Sequence, residues 1–188
     1  MQKPLQGIVG ITGTPGTGKK SIAPLVAGSL GVPCIGLNSF AEARGLVGKW
    51  GDVDVPKLKR AVEASLEGPA VLYGHLLPFA IGHRRLSMAV VLRCEPSVLK
   101  ARLASRGYPS AKVMENVEAE LIGTVSADAI RAFGGEKVVE VDTTQTDPAR
   151  GAAKAVAAVT RKGGTGPTID WMPNYGSGPK LRSLMSPG

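Results

Sequence analysis

The sequence predicts an α/β fold: a parallel five-stranded sheet with helices on both faces, a glycine-rich loop after the first strand, and a Gly/Pro-rich C-terminal tail. Three observations predict it. Five short apolar runs, at 7–12, 34–37, 70–73, 89–93 and 137–141, are separated by segments of helical period. The stretch GTPGTGKKS at 13–21 follows the first run directly. A chain of 188 residues with 43% hydrophobic content suffices for one domain with a proper core.

Taken in order, the first run is the strand that feeds the glycine loop, and the helix after the loop starts near Lys19. Pro24 lies inside that helix and cannot donate to the carbonyl of Lys20, so a kink or irregular turn is expected there. Ser39 with Glu42 three residues on reads as a capping box after the second run. Asp54 before Pro56, Glu95 before Pro96 and Asp147 before Pro148 mark three further helix starts. Strands alternating with helices imply a parallel sheet, whose ligands collect at the strands' carboxyl ends. Past Arg161 the composition changes: residues 163–188 hold six Gly and four Pro among 26 positions, too broken for a helix or a central strand. The expected organisation is a body over 1–162 and a tail over 163–188. The tail's apolar cluster, Ile169, Trp171, Met172 and Tyr175, either folds back on the body or awaits a partner.

A net charge of +8 and a pI near 9.7 favour polyanionic surroundings, either nucleotide phosphates or an RNA-rich partner. The basic residues are dispersed and aromatics are only 4%, which argues against stacking platforms for single-stranded nucleic acid. Cys34 and Cys94 have no metal-ligand spacing, and buried thiols in a reducing compartment are expected. Residues 1–4 run straight into a strand-length apolar segment, and no apolar stretch approaches the ~18 residues needed to span a bilayer. The expectation is a cytoplasmic protein with no membrane partner.

The loop carries the chemistry. A phosphate chain binds where backbone N–H groups converge at a helix N-terminus, and Gly13, Gly16 and Gly18 keep side chains out of that approach. Lys19 then reaches the β- and γ-phosphates as a point charge, as GxxxxGK[ST] requires. ATP is therefore the expected cofactor. The pattern fails at its last position, where Lys20 replaces the Ser or Thr that offers a hydroxyl to Mg²⁺. Ser21 follows, rotated ~100° around the helix. An ammonium in contact with a divalent cation is repelled by ~4 kcal/mol per unit-charge pair at an effective dielectric near 20.

Further segments narrow the field: GITGTPGTGKKS at 10–21, LNSFAEARGL at 37–46, VDVPKL at 53–58, YGH at 73–75, VVLRCEPSVLKARLASRGY at 90–108, ENVEAE at 115–120, EVDTT at 140–144 and IDW at 169–171. On these the chain resembles the atypical adenylate kinase family, also known as CINAP, in its archaeal form. The resemblance implies a nucleoside monophosphate kinase fold with a role in small-ribosomal-subunit maturation. It implies a monophosphate-binding segment near 37–66 and a lid near 105–116, both as loops that close over substrates. Arg102 and Arg106 stand four residues apart, on one face of a helix over 96–106, where guanidinium groups could neutralise a transferring phosphoryl group. Matched to the family's RGY, Arg106 is the better lid-side nucleotide ligand, with Lys112 a weaker one. The family's third strand ends in an acid, one residue and then His, the acid helping to hold Mg²⁺ and the His taking part in ATP hydrolysis. Here His75 matches, but Tyr73 replaces the acid, and a neutral phenol is a poor magnesium anchor.

Two departures thus remove groups from the same ion, which leaves Mg²⁺ weakly supported and no metal ligand assigned. Lys19, Lys20 and Arg106 would have to supply the positive charge. The expected catalytic set is Lys19, His75 and Arg106, and the nucleotide-binding set adds Gly13, Gly16, Gly18, Lys20 and Ser21. Two functions follow from the resemblance. One is an adenylate kinase with ATPase activity, passing phosphate from ATP to AMP. The other is a catalytically weakened nucleotide-binding assembly factor whose partners are a small-subunit platform ribosomal protein and possible rRNA contacts. A different small P-loop kinase is a third reading, which leaves YGH, RGY and EVDTT unexplained.

Overall fold

The computed structural model describes residues 7–161, 164, 166–176 and 178–186. The expected N-terminal lead at 1–4 and the body–tail boundary at 162–163 lie outside the described residues. Five parallel strands form one sheet in the order β2-β3-β1-β4-β5. They are β1 (Ile8–Gly13), β2 (Cys34–Gly36), β3 (Ala70–Tyr73), β4 (Leu86–Arg93) and β5 (Val138–Asp142). The fold is the α/β arrangement read from the sequence. β1 lies at the centre, between β3 and β4, so the chain reverses its direction of travel across the sheet beside β1. A crevice opens at such a point outside the strands' carboxyl ends.

Alternation along each strand divides the core. On one face Ile8, Leu72, Ala89 and Val91 pack with Leu37 and Ala41 of α2 (Leu37–Ala43), Leu58 and Val62 of α3 (Val55–Ser65), Leu77 of α4 (Leu77–Ala80), and Phe133 of α7 (Thr124–Phe133). On the other, Val9, Ile11, Val71, Val90 and Leu92 pack with Ile22, Ala23, Val26 and Ala27 of α1 (Lys19–Leu30), and with Ala152 and Ala155 of α8 (Pro148–Thr160). A third cluster joins α5 (Pro96–Ala104) and α6 (Ser110–Leu121) to the tail.

Several expectations need correction. β4 begins at Leu86 rather than 89, with a register shift between Ile8 and Val9 at which Ser87 is skipped. The polar Ser87 hid that extension in the sequence. α1 runs unbroken past Pro24, which faces solvent. Ser39 is not a cap: α2 starts directly after β2 with Gly36 as its N-cap, so Ser39 lies inside the helix. Asp54, Glu95 and Asp147 do cap their helices, accepting from backbone N–H groups of Lys57, of Ser97 and Val98, and of Arg150. Cys94 is buried but Cys34 is exposed. The tail contains two short helices, α9 (Met172–Tyr175) and α10 (Pro179–Met185), because Pro173 and Pro179 occupy first-turn positions where proline starts a helix instead of breaking one. Trp171 and Leu184 are buried against Leu99, Leu103, Val113 and Val117.

A basic nucleotide-type cleft at the carboxyl ends of the first and third strands

A cleft of about 570 Å³ opens at the end of β1 and β3. That volume suits a small-molecule ligand. Its walls are the loop residues Pro15, Gly16 and Gly18, the start of α1 with Lys19, Lys20 and Ser21, and the β2–α2 junction with Gly36, Asn38 and Ser39. Tyr73, Gly74 and His75 close the β3 end, and Arg106 and Tyr108 overhang from the turn before α6.

The loop is shaped by contacts on its protein side. Gly13 has φ 143°, and a Cβ there would lie 2.4 Å from the carbonyl oxygen of Leu92; Gly16 has φ 96°, and a Cβ would lie 2.6 Å from Leu99. Packing against β4 and α5 therefore demands glycine at both positions, in addition to any demand from a ligand. Gly18, also left-handed at φ 100°, ends the loop as the N-cap of α1 without a side-chain cap of its own. The first turn of α1 thus faces the cleft, where a helix N-terminus favours an anion.

Lys19 Nζ donates to the carbonyl oxygens of Gly13 at 2.5 Å and Thr14 at 3.0 Å. Burial pushes its pKa down to about 8, opposed by the Glu120 carboxylate and assisted by the neighbouring Lys20 ammonium. Partial burial, with Lys19 adding to it, holds the His75 imidazole below its usual range and so neutral at pH 7. Tyr73 lies over Gly36, where a Cβ would be 2.8 Å from the phenol oxygen.

The two lid-side arginines part company. Arg106 lines the cleft, but from the turn after α5, which ends at Ala104. Arg102 remains on α5 and is committed elsewhere: it donates to the carbonyls of Thr143 and Thr144 and to Cys94 Sγ. The reading of both on one helical face is corrected, since the helix is two residues too short to hold Arg106. Lys112 pairs with Glu115 at 2.7 Å and does not line the cleft. The segments at 37–66 and 105–116 are not plain loops: α2 and α3 flank a turn closed by the Val47–Val53 bridge, and α6 begins at Ser110.

Beneath the loop lies an arrangement that motif reading missed. Arg93 donates to Glu120 Oε1 at 2.7 Å and to Glu140 Oε1 at 2.5 Å, with all three side chains at most 3% exposed. Glu120 also accepts from Thr14 Oγ1 of the loop at 2.5 Å, from Cys94 N–H, and from Trp171 Nε1 of the tail at 3.2 Å. Glu140 accepts from Ser126 and from the backbone N–H groups of Thr168 and Ile169. Burial alone would lower the Arg93 pKa, but the two carboxylates outweigh it and hold the guanidinium above its ordinary range. Thr143 Oγ1 bridges to the Thr17 carbonyl at 3.0 Å, tying the β5 exit to the loop. The loop is thus anchored on one side to the sheet and on another to the tail.

Small P-loop kinases hold Mg²⁺ with the loop hydroxyl and a strand-end carboxylate. The residues here do not fit that ion: Lys20 stands at the hydroxyl position, Tyr73 at the strand end, and among the described residues no Asp or Glu lines the cleft. No group of three or more His, Cys, Asp or Glu side chains could hold a metal among the described residues. No helix among the described residues is long and apolar enough to cross a membrane.

Comparison with known proteins places this geometry in company. The family described as "AAA domain" matches residues 9–123. A Thermococcus gammatolerans protein named "Putative adenylate kinase" is 38% identical over 145 residues, covering 75% of this chain and 78% of its own length. A Natronomonas pharaonis protein of the same name is 41% identical over 156 residues, covering 80% and 88%. Among solved structures, a shikimate kinase from Acinetobacter baumannii, in complex with shikimate, superposes with a TM-score of 0.58 at 13% identity, covering 81% of this chain and 92% of that one. At that identity the likeness concerns the fold alone.

Proposed function

The chain belongs to the AAA-domain family and to the archaeal proteins that carry the adenylate kinase name, and on that premise we propose that it is a nucleoside monophosphate kinase passing the γ-phosphate of ATP to AMP. The observation that carries the reading is a single cleft joining the phosphate loop to the β2–α2 junction, so that one cavity can hold donor and acceptor phosphates together. In this reading the loop from Gly13 to Gly18 and the start of α1 cradle the ATP phosphates, with Lys19 released from the Gly13 and Thr14 carbonyls onto them. The segment over 37–66 receives AMP, and the lid over 105–116 brings Arg106 across the transferring phosphoryl group. In this reading His75, neutral and beside Lys19, takes the proton of the attacking water in a side reaction of ATP hydrolysis. Catalysis is then mainly positioning and charge stabilisation by Lys19, Lys20 and Arg106.

The test is ADP formation from ATP plus AMP. The expected result is ADP formed much faster when both are present than from ATP alone, with shikimate or gluconate unable to replace AMP. ADP formed from ATP alone at the same rate would contradict transfer to AMP.

A second reading is favoured by one specific observation, the absence of a carboxylate from the cleft lining among the described residues. In it turnover is slow and nucleotide binding controls a complex with a platform protein of the small ribosomal subunit, the net charge of +8 favouring contact with rRNA. Nucleotide-dependent co-sedimentation with small subunits, together with weak turnover, supports this reading. Fast turnover without association opposes it.

A further inference from the structure

The cleft's charge inventory is unusual for its shape. Lys19, Lys20 and Arg106 line it, joined by the neutral His75, and none of its lining residues is acidic. Lys20 is exposed at the first turn of α1, on the cleft side and next to Lys19, at the position whose hydroxyl would otherwise meet a divalent cation. The β3 end offers Tyr73 to the same cleft, a phenol seated over Gly36. A bound metal ion would have lost both its protein ligands and would face an ammonium instead.

We propose that this cleft takes a nucleoside triphosphate as the free anion in preference to its magnesium complex, with the Lys20 ammonium filling the charge position of the divalent cation. The inference rests on the nucleotide-binding reading above and specifies the ionic form of the ligand. Free ATP carries more negative charge than its magnesium complex, so a site of several cations and no carboxylates gains attraction when the metal is removed. A Lys20 ammonium can donate to phosphate oxygens that the metal would otherwise occupy. Arg106, which lines the same cleft, adds a second set of donors.

Calorimetric titrations of ATP and of inorganic tripolyphosphate into the intact chain, in EDTA and in saturating Mg²⁺ at matched ionic strength, test this. The expected result is at least tenfold tighter binding in EDTA for both probes. Lys20→Thr, which restores the hydroxyl, is expected to lose that preference, and Lys20→Thr with Tyr73→Asp to reverse it. The wild-type comparison stands by itself should the variants fail to fold, as judged by their melting curves. Equal or tighter binding of ATP in Mg²⁺ by the wild type overturns the inference and leaves nucleotide binding intact. Absence of ATP binding in both conditions overturns the nucleotide reading and this inference with it.

Discussion

Lys19→Met is expected to slow any phosphoryl transfer by on the order of 10²–10³-fold, the loss seen when one well-placed donor to developing charge is removed, and to weaken ATP binding as well. The substitution keeps the unbranched apolar stem of the side chain and deletes the ammonium that donates to the Gly13 and Thr14 carbonyls. The melting temperature separates lost binding from a collapsed loop, and it should change far less than the affinity. The same lysine sets a pH dependence. Burial lowers its pKa to about 8 in the ligand-free protein. A bound phosphate chain favours the charged form and raises that value. Affinity therefore falls as pH rises through about 8, by up to about tenfold per pH unit until the complex also deprotonates. Binding near pH 8 takes up protons, which titration in buffers of different ionisation heat detects. A wild-type affinity that is flat from pH 7 to 9.5 would show that Lys19 does not meet the phosphates.

The second large effect is on stability. Arg93→Met is expected to cost about 3–5 kcal/mol, because it leaves Glu120 and Glu140 buried without their cation. For a chain of this size that lowers the melting temperature by roughly 10 °C. The acid limb should shift as well. Burial opposes ionisation of Glu140, but Ser126, the Ile169 N–H, Arg93 and the Thr168 N–H together hold its carboxyl below the usual range. A depressed folded-state pKa gives stability that is fully present above the unfolded value and is lost as pH falls through the folded one. Without Arg93 the folded value rises, so the variant should unfold at higher pH than the wild type. A variant melting within 2 °C of the wild type, with an unchanged acid midpoint, would mean that the network contributes little. Because Glu120 also accepts from Thr14 and Trp171, the variant should loosen the phosphate loop and the tail together.

What the sequence revealed and what it hid have the same physical origin. The phosphate loop is legible because its geometry is local: glycines with positive φ, a lysine and a helix start within a few consecutive residues. The strands are legible because burial on both faces makes continuous apolar runs. The Arg93 network is not, since its partners lie 27 and 47 residues away and each charge taken singly reads as surface. A signal was present. Arg93 ends an apolar run and Glu140 sits within VVEVD, and a charge inside a buried strand requires a partner. Arg102 and Arg106 were inseparable by spacing; only the end of α5 at Ala104 sends one to the Thr143 and Thr144 carbonyls and the other to the cleft. The tail helices were hidden because first-turn prolines look, in sequence, like helix breakers. Asn38, Ser39 and Tyr108 line the cleft from segments whose approach depends on tertiary packing.

The central claim is that one cleft holds a phosphoryl donor and a nucleotide acceptor side by side. It is tested most directly by titrating a bisubstrate ligand, two adenosines joined through a polyphosphate chain, into the wild-type protein. The account predicts one ligand per chain, bound more tightly than ATP or AMP alone and displaced by either. Binding no tighter than that of ATP, or undiminished by excess AMP, would contradict it.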